Sequence, residues 1–177
     1  MTCRQKISVK GNKLSFWELE SSGRWKCMLE CYCGHGRNGF SMSKKEGDGC
    51  TPVGIFPLTM AFGFSQLPPG SLPYRSIGPD SYWSGEEEDY NSWVEVPAGT
   101  RSMARSEHLA DYPVQYKYAG VIGYNTVNPV WGAGSAIFFH CKGPSGWPTA
   151  GCISAPEHAV RFILSHCTSG ALVQIVP

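Results

Sequence analysis

The chain has 177 residues and a formal net charge of +1, with 15 lysines and arginines against 14 aspartates and glutamates. That length suits one domain over residues 1–177, able to bury about two thirds of the surface its unfolded chain exposes. The charge balance leaves no basic footprint for nucleic acid, and no apolar run reaches the ~18 residues of a membrane helix.

The opening MTCRQKISVK runs into polar residues and turns rather than an apolar signal-peptide core. The sequence therefore reads either as cytoplasmic or as the processed part of an exported protein, and composition does not choose. Ile7 and Val9, then Leu14 and Phe16, alternate around Gly11-Asn12, a two-residue hairpin signal. Ser21-Ser22-Gly23 supplies the next turn. In the strand after it, Trp25, Cys27, Leu29, Cys31 and Cys33 fall at alternate positions, which predicts one shared face. Thiols there can pack as small apolar groups. With His35 they also form a C-x3-C-x-C-x-H string, an outside candidate for zinc or redox chemistry that lacks the C-x2-C spacing of a metal knuckle.

Gly34 to Gly49 is glycine-rich and polar and reads as a loop. Residues 51–62, TPVGIFPLTMAF, read as a strand opened by proline. Residues 63–90 carry Gly63, Pro68-Pro69-Gly70, Pro73, Gly78-Pro79 and Gly85, an irregular stretch of the kind that shapes a binding surface. Within it, Glu86-Glu87-Glu88-Asp89 reads as a solvated loop. Strands are expected at 90–96 and 118–125, and at 135–140 with His140 as the last residue. One helix follows: Ser154 and Glu157 stand in capping-box relation, with Pro156 in the first turn. Val160, Ile163, Leu164 and Cys167 give its apolar stripe, and Gly170 stops it. Residues 171–176 close the chain as a strand, making the domain mainly β.

His140, Cys141 and Cys152 lie within thirteen positions. On the residues alone a metal site, a disulfide and a nucleophile with its base all stay open. Cys152 lies two residues before the expected cap Ser154, where a helix N-terminus would lower a thiol pKa. Thr149-Ala150-Gly151 can turn sharply and leave backbone N–H groups facing outward as an oxyanion site. A thiolate, a base and an oxyanion site are what acyl transfer needs.

The run from His140 to Thr149-Ala150-Gly151-Cys152-Ile153 resembles the signature of the L,D-transpeptidase (YkuD-like) catalytic domain family. Thr51-Pro52-Val53-Gly54-Ile55-Phe56 resembles that family's T-P-x-G-x-F segment. Ser106-Glu107-His108-Leu109 and Tyr118-Ala119-Gly120-Val121-Ile122 are similar to the middle of a bacterial branch. The resemblance implies a β-sandwich-like fold and a cysteine peptidyltransferase of the extracytoplasmic cell wall, concerned with peptidoglycan biogenesis and cell shape. Its partner would be peptidoglycan stem peptides, with no cofactor and no metal; the charge balance already speaks against nucleic acid, and a monomer is expected although no motif sets the oligomeric state. By the same resemblance Cys152 is the nucleophile and His140 the base. The backbone carbonyl of Cys141 orients the imidazole, and the N–H groups of Gly151 and Cys152 hold the oxyanion. Thr149, Ala150 and Ser154 are the implied substrate contacts. Transfer to a diamino-acid amine gives a 3→3 crosslink, transfer to water an L,D-carboxypeptidase, and loss of catalysis a wall-binding module. The family usually carries histidine where this chain has Ala150, and Arg or Asn where it has Ser154.

Overall fold

The computed structural model describes residues 3–67 and 72–177, so Pro68-Pro69-Gly70 of the irregular stretch lie outside the described residues. Strands β1 (Gln5–Lys10) and β2 (Lys13–Leu19) form the expected hairpin. Gly11 turns it at φ +54°, a conformation that glycine adopts without steric cost. Ile7, Val9, Leu14 and Phe16 point together into the core.

β3 (Trp25–Tyr32) departs from its predicted alternation. Phe16 faces Leu29 while Trp17 faces Cys27, which leaves Met28 as the extra residue of a β-bulge. The bulge shifts the side-chain phase by one. Cys27 therefore turns to the exposed face, while Cys31 is partly buried and Cys33 fully buried. The four candidate ligands do not converge: His35 instead bonds Gly36 O through Nδ1 at 3.0 Å and packs on Phe40. No group of three or more His, Cys, Asp or Glu that could hold a metal occurs among the described residues. All eight cysteines are unbridged.

β4 (Phe40–Ser41) interrupts the expected loop and pairs with β5 (Thr51–Pro52). The single strand expected over 51–62 is thus two, since Val53 separates β5 from β6 (Gly54–Gly63). Two short strands, β7 (Tyr74–Ser76) and β8 (Ser81–Trp83), also lie inside the stretch read as irregular. The acidic run is an exposed 3-10 turn rather than a free loop, because Arg101 pairs with both Glu88 and Asp89. β9 (Trp93–Glu95) and β10 (Glu107–His108) flank β8 in a three-stranded sheet. β11 (Ala119–Ile122) and β12 (Phe138–Cys141) are buried throughout. β12 starts later than predicted and runs one residue past His140.

β13 (Ile153–Ala155), helix α1 (Glu157–His166) and β14 (Leu172–Val176) complete the chain. The main sheet has the order β13-β12-β11-β6-β14-β1-β2-β3, with β7 beside β6. β6 joins its halves: residues 54–57 pair with β14, and residues 58–62 pair with β11. The mainly β, single-helix reading therefore holds.

The helix starts later than the capping box predicts. Ser154 belongs to β13, paired with His140, and its Oγ donates to Trp147 O at 2.8 Å. Pro156 occupies the N-cap position with no side-chain cap, and Glu157 pairs with Lys117 at 2.6 Å. The S-x-x-E spacing is real but its serine is needed elsewhere. Val160, Ile163 and Leu164 seat α1 on the main core. Gly120 of β11 makes room for it, since a side chain there would begin 2.8 Å from Leu164 Cδ2.

Candidate active site

Alternation along β12 divides two interiors. Phe139 and Cys141 enter the main core. Phe138 enters a second cluster with Phe62, Trp83, Leu109 and Tyr116, against which Cys152 packs. His140 shares that side, with the Tyr116 ring edge-on at 5.6 Å. Cys141 points away, its thiol 3.5 Å from Tyr118 O.

Cys152 and His140 line one cavity of about 280 Å³, together with Thr149, Ala150 and Ser154. Cys141 reaches the site only through its backbone. His140 Nδ1 lies 2.8 Å from Cys141 O. A carbonyl can only accept, so Nδ1 carries the proton and Nε2 is left as a base. Burial holds the imidazole well below its ordinary range, at about 4, against the opposing pull of the Cys141 carbonyl. It is neutral at pH 7.

Cys152 Sγ lies 3.1 Å from Ala136 O and 3.3 Å from Phe138 N. The expectation of a depressed thiol pKa is overturned. Burial pushes it up to about 12, and the Glu107 charge adds to the rise, while the Phe138 N–H and Lys44 only partly offset them. The physical reason is the misplaced helix: α1 begins at Glu157, with all of β13 between it and Cys152. At rest the cavity holds a neutral thiol and a neutral imidazole.

The turn before Cys152 is stapled by its own threonine. Thr149 Oγ1 donates to Cys152 O at 2.7 Å and accepts from Gly151 N at 3.1 Å. Gly151 sits at φ +154°, and a Cβ there would come within 2.9 Å of Cys50 O. Its carbonyl accepts from the buried Thr51 Oγ1 at 2.7 Å. The Gly151 N–H expected to face an oxyanion is thus spent inside the turn. The Cys152 N–H has no protein acceptor among the described residues.

Sequence reasoning missed Glu107 and Tyr116 as site residues. Both line the cavity, and the Tyr116 hydroxyl donates to Glu107. Burial raises the pKa of both groups. Glu107 lies within the Ser106-Glu107-His108-Leu109 segment that resembles the family, whereas Tyr116 carries no signal of spacing or charge. His108 is turned to Asp111 and Pro79 O instead.

The family model for the L,D-transpeptidase catalytic domain, YkuD, matches residues 5–175. No curated protein sequence matches the chain. Among solved structures, the helical cell shape determining protein Pgp2 of Campylobacter jejuni aligns over 96% of this chain and 46% of its own, at 16% identity and TM-score 0.57. Its K307A mutant aligns at 15% identity and TM-score 0.54, over the same shares. The Ldtfm-avibactam carbamoyl enzyme aligns over all of this chain and 49% of its own, at 13% identity and TM-score 0.46. The chain thus spans about half the length of these structures, and at 15–16% identity the likeness to the two Pgp2 structures is one of fold.

Proposed function

The chain belongs to the L,D-transpeptidase catalytic domain family, and from that premise we propose that it is a cysteine acyltransferase acting on peptidoglycan stem peptides outside the cytoplasm. The observation that carries this reading is a single cavity holding Cys152 and a His140 whose Nε2 is free to accept a proton. A thiol raised to about 12 is no standing nucleophile. His140 Nε2 therefore takes the Cys152 proton as Sγ attacks the carbonyl of the third stem residue.

The developing oxyanion is served by the Cys152 N–H, held in place by the Thr149 staple. As the tetrahedral intermediate collapses, the C–N bond to the D-alanine at position four breaks. The imidazolium returns its proton to the departing amine, leaving a thioester on Cys152. A diamino-acid side-chain amine then attacks the thioester, forming an amide and freeing the thiol. The Cys141 carbonyl stabilises the transient imidazolium without a carboxylate partner. Edge-on Tyr116, anchored by Glu107, fixes the ring against the cavity wall.

Incubation with a disaccharide-tetrapeptide, followed by mass spectrometry, tests the reading. A crosslinked dimer supports transfer to an amine. Tripeptide alone makes the protein an L,D-carboxypeptidase, with water as acceptor. Unchanged substrate overturns the enzymatic reading in favour of a wall-binding module.

A further inference from the structure

Arg37 stands where two hollows meet. The cavity of Cys152 and a second hollow of about 120 Å³, walled by Tyr32, His35 and Trp147, share Arg37 and Pro148 in their linings. The position is fixed by backbone rather than chance. Arg37 N donates to Thr149 O at 2.9 Å, and Gly36 pairs with Thr149, so this residue is moored to the turn that presents Cys152. The side chain passes over Gly49, where a Cβ would lie 3.3 Å from both Arg37 Cγ and Nε. Gly49 thereby leaves the path of the guanidinium open.

The charge at this seam has no counterpart among the described residues. Ion pairs among the described residues engage Lys13, Lys44, Arg101, His108 and Lys117, and none engages Arg37. The one carboxyl on the cavity wall is Glu107, already bonded by Tyr116. Buried His140 is neutral and adds no charge of its own. The mouth therefore offers a planar five-donor fork with nothing to bind it, and a carboxylate is the group whose geometry that fork matches.

We propose that Arg37 is a specificity-determining residue, holding a carboxylate of the stem peptide while the scissile carbonyl lies at Cys152. This rests on the proposed function for the identity of the ligand. Stem peptides carry more than one carboxylate, and the test separates them. Binding of the tetrapeptide stem, and of versions with each carboxylate amidated in turn, is measured by calorimetry on the Cys152→Ala protein and on Cys152→Ala/Arg37→Gln. One amidation should weaken binding about tenfold to a hundredfold in the first protein, as expected for loss of a charge-assisted hydrogen bond, and should have no effect in the second. The amide that does so names the carboxylate. Arg37→Lys should restore part of the preference, since it keeps the charge and loses the fork. A general loss of fold would lower binding of every version alike and could not erase one preference alone. Equal preference in both proteins, or none in either, overturns the proposal. Turnover of the tetrapeptide by unmodified protein is read separately; its absence overturns the acyl-transfer reading and leaves the binding result standing.

Discussion

The two faces of β12 bury side chains of similar size to very different ends. Beneath α1, Phe139 and Cys141 join an interior of aliphatic and aromatic groups in which little polarity has to be accommodated. On the other face of the same strand, Phe138 and His140 meet a second interior that includes Tyr116 and opens onto the cavity of Cys152, which Glu107 also lines. Burying a titratable group disfavours its charged form, and that is what the second face does to the imidazole, the Tyr116 hydroxyl and the Cys152 thiol. A chain selected for stability alone would gain by filling these positions with apolar residues. Burial raises the Cys141 thiol on the first face as well, to about 11. What sets the second face apart is the company of imidazole, phenol and carboxyl around one cavity, the kind of cluster on which the proposed function rests.

The largest test of this contrast exchanges the two cysteines. Cys152→Ala should abolish acyl-enzyme formation, read by intact-mass spectrometry with a carbapenem or stem peptide. His140→Ala should slow acylation roughly 10²–10⁴-fold, the usual contribution of a positioned acid–base group. Cys141→Ser should keep most of the activity, because the side chain lies on the opposite face and a hydroxyl can still donate to Tyr118 O. A dead Cys141→Ser protein beside an acylating Cys152→Ala protein would reverse the assignment of faces.

What was legible in the sequence follows the same division. Alternation at Ile7, Val9, Leu14 and Phe16 and the i, i+3, i+4 stripe of α1 report apolar burial, and both elements formed, α1 with a later start than the capping box predicts and with Cys167 just past its end. That His140 and Cys152 share one cavity was legible as a motif. Polar partnerships were not. Ser154 has the composition of a cap, but its hydroxyl is taken by Trp147 O, a contact set by tertiary folding. Tyr116 looks like any core aromatic until Glu107 is seen beside it. The bulge at Met28 left no signal, since Trp25, Cys27, Leu29 and Cys31 keep an unbroken alternation through it in the sequence.

An intermediate effect should appear in the dependence of stability on pH. The folded-state pKa of His140 is lowered from the ordinary 6.5 to about 4. Between these values the unfolded chain takes up a proton that the native protein refuses. The associated stability is complete above pH ~6.5, falls as the solution is acidified and is gone below about 4, a span of about 3 kcal/mol. Chemical denaturation at pH 7 and pH 4 should show the His140→Gln variant losing less on acidification than the unsubstituted protein, by an amount of that order. Identical losses would mean that the imidazole is not held neutral by burial and that the two faces differ less than their polar content implies.

The smallest effect concerns β13, which repeats the alternation of its neighbour. Ile153 and Ala155 enter the main core, while Ser154 lines the cavity. Ser154→Ala removes the donor to Trp147 O at 2.8 Å without changing backbone geometry. Losing one buried hydrogen bond costs about 1 kcal/mol, somewhat more if the carbonyl finds no water. Were Ser154 the cap of α1, a similar cost would arise by fraying the first helical turn, so stability alone does not separate the two roles. Amide exchange does. With Pro156 at the N-cap position and the helix held by Val160, Ile163 and Leu164, the substitution should leave protection at Ala159 and Val160 unchanged. Exchange should instead quicken in the segment from Gly143 to Trp147, whose path over the cavity depends on the Trp147 carbonyl being held. Faster exchange confined to the first turn of α1 would restore the capping role and take Ser154 off the polar face.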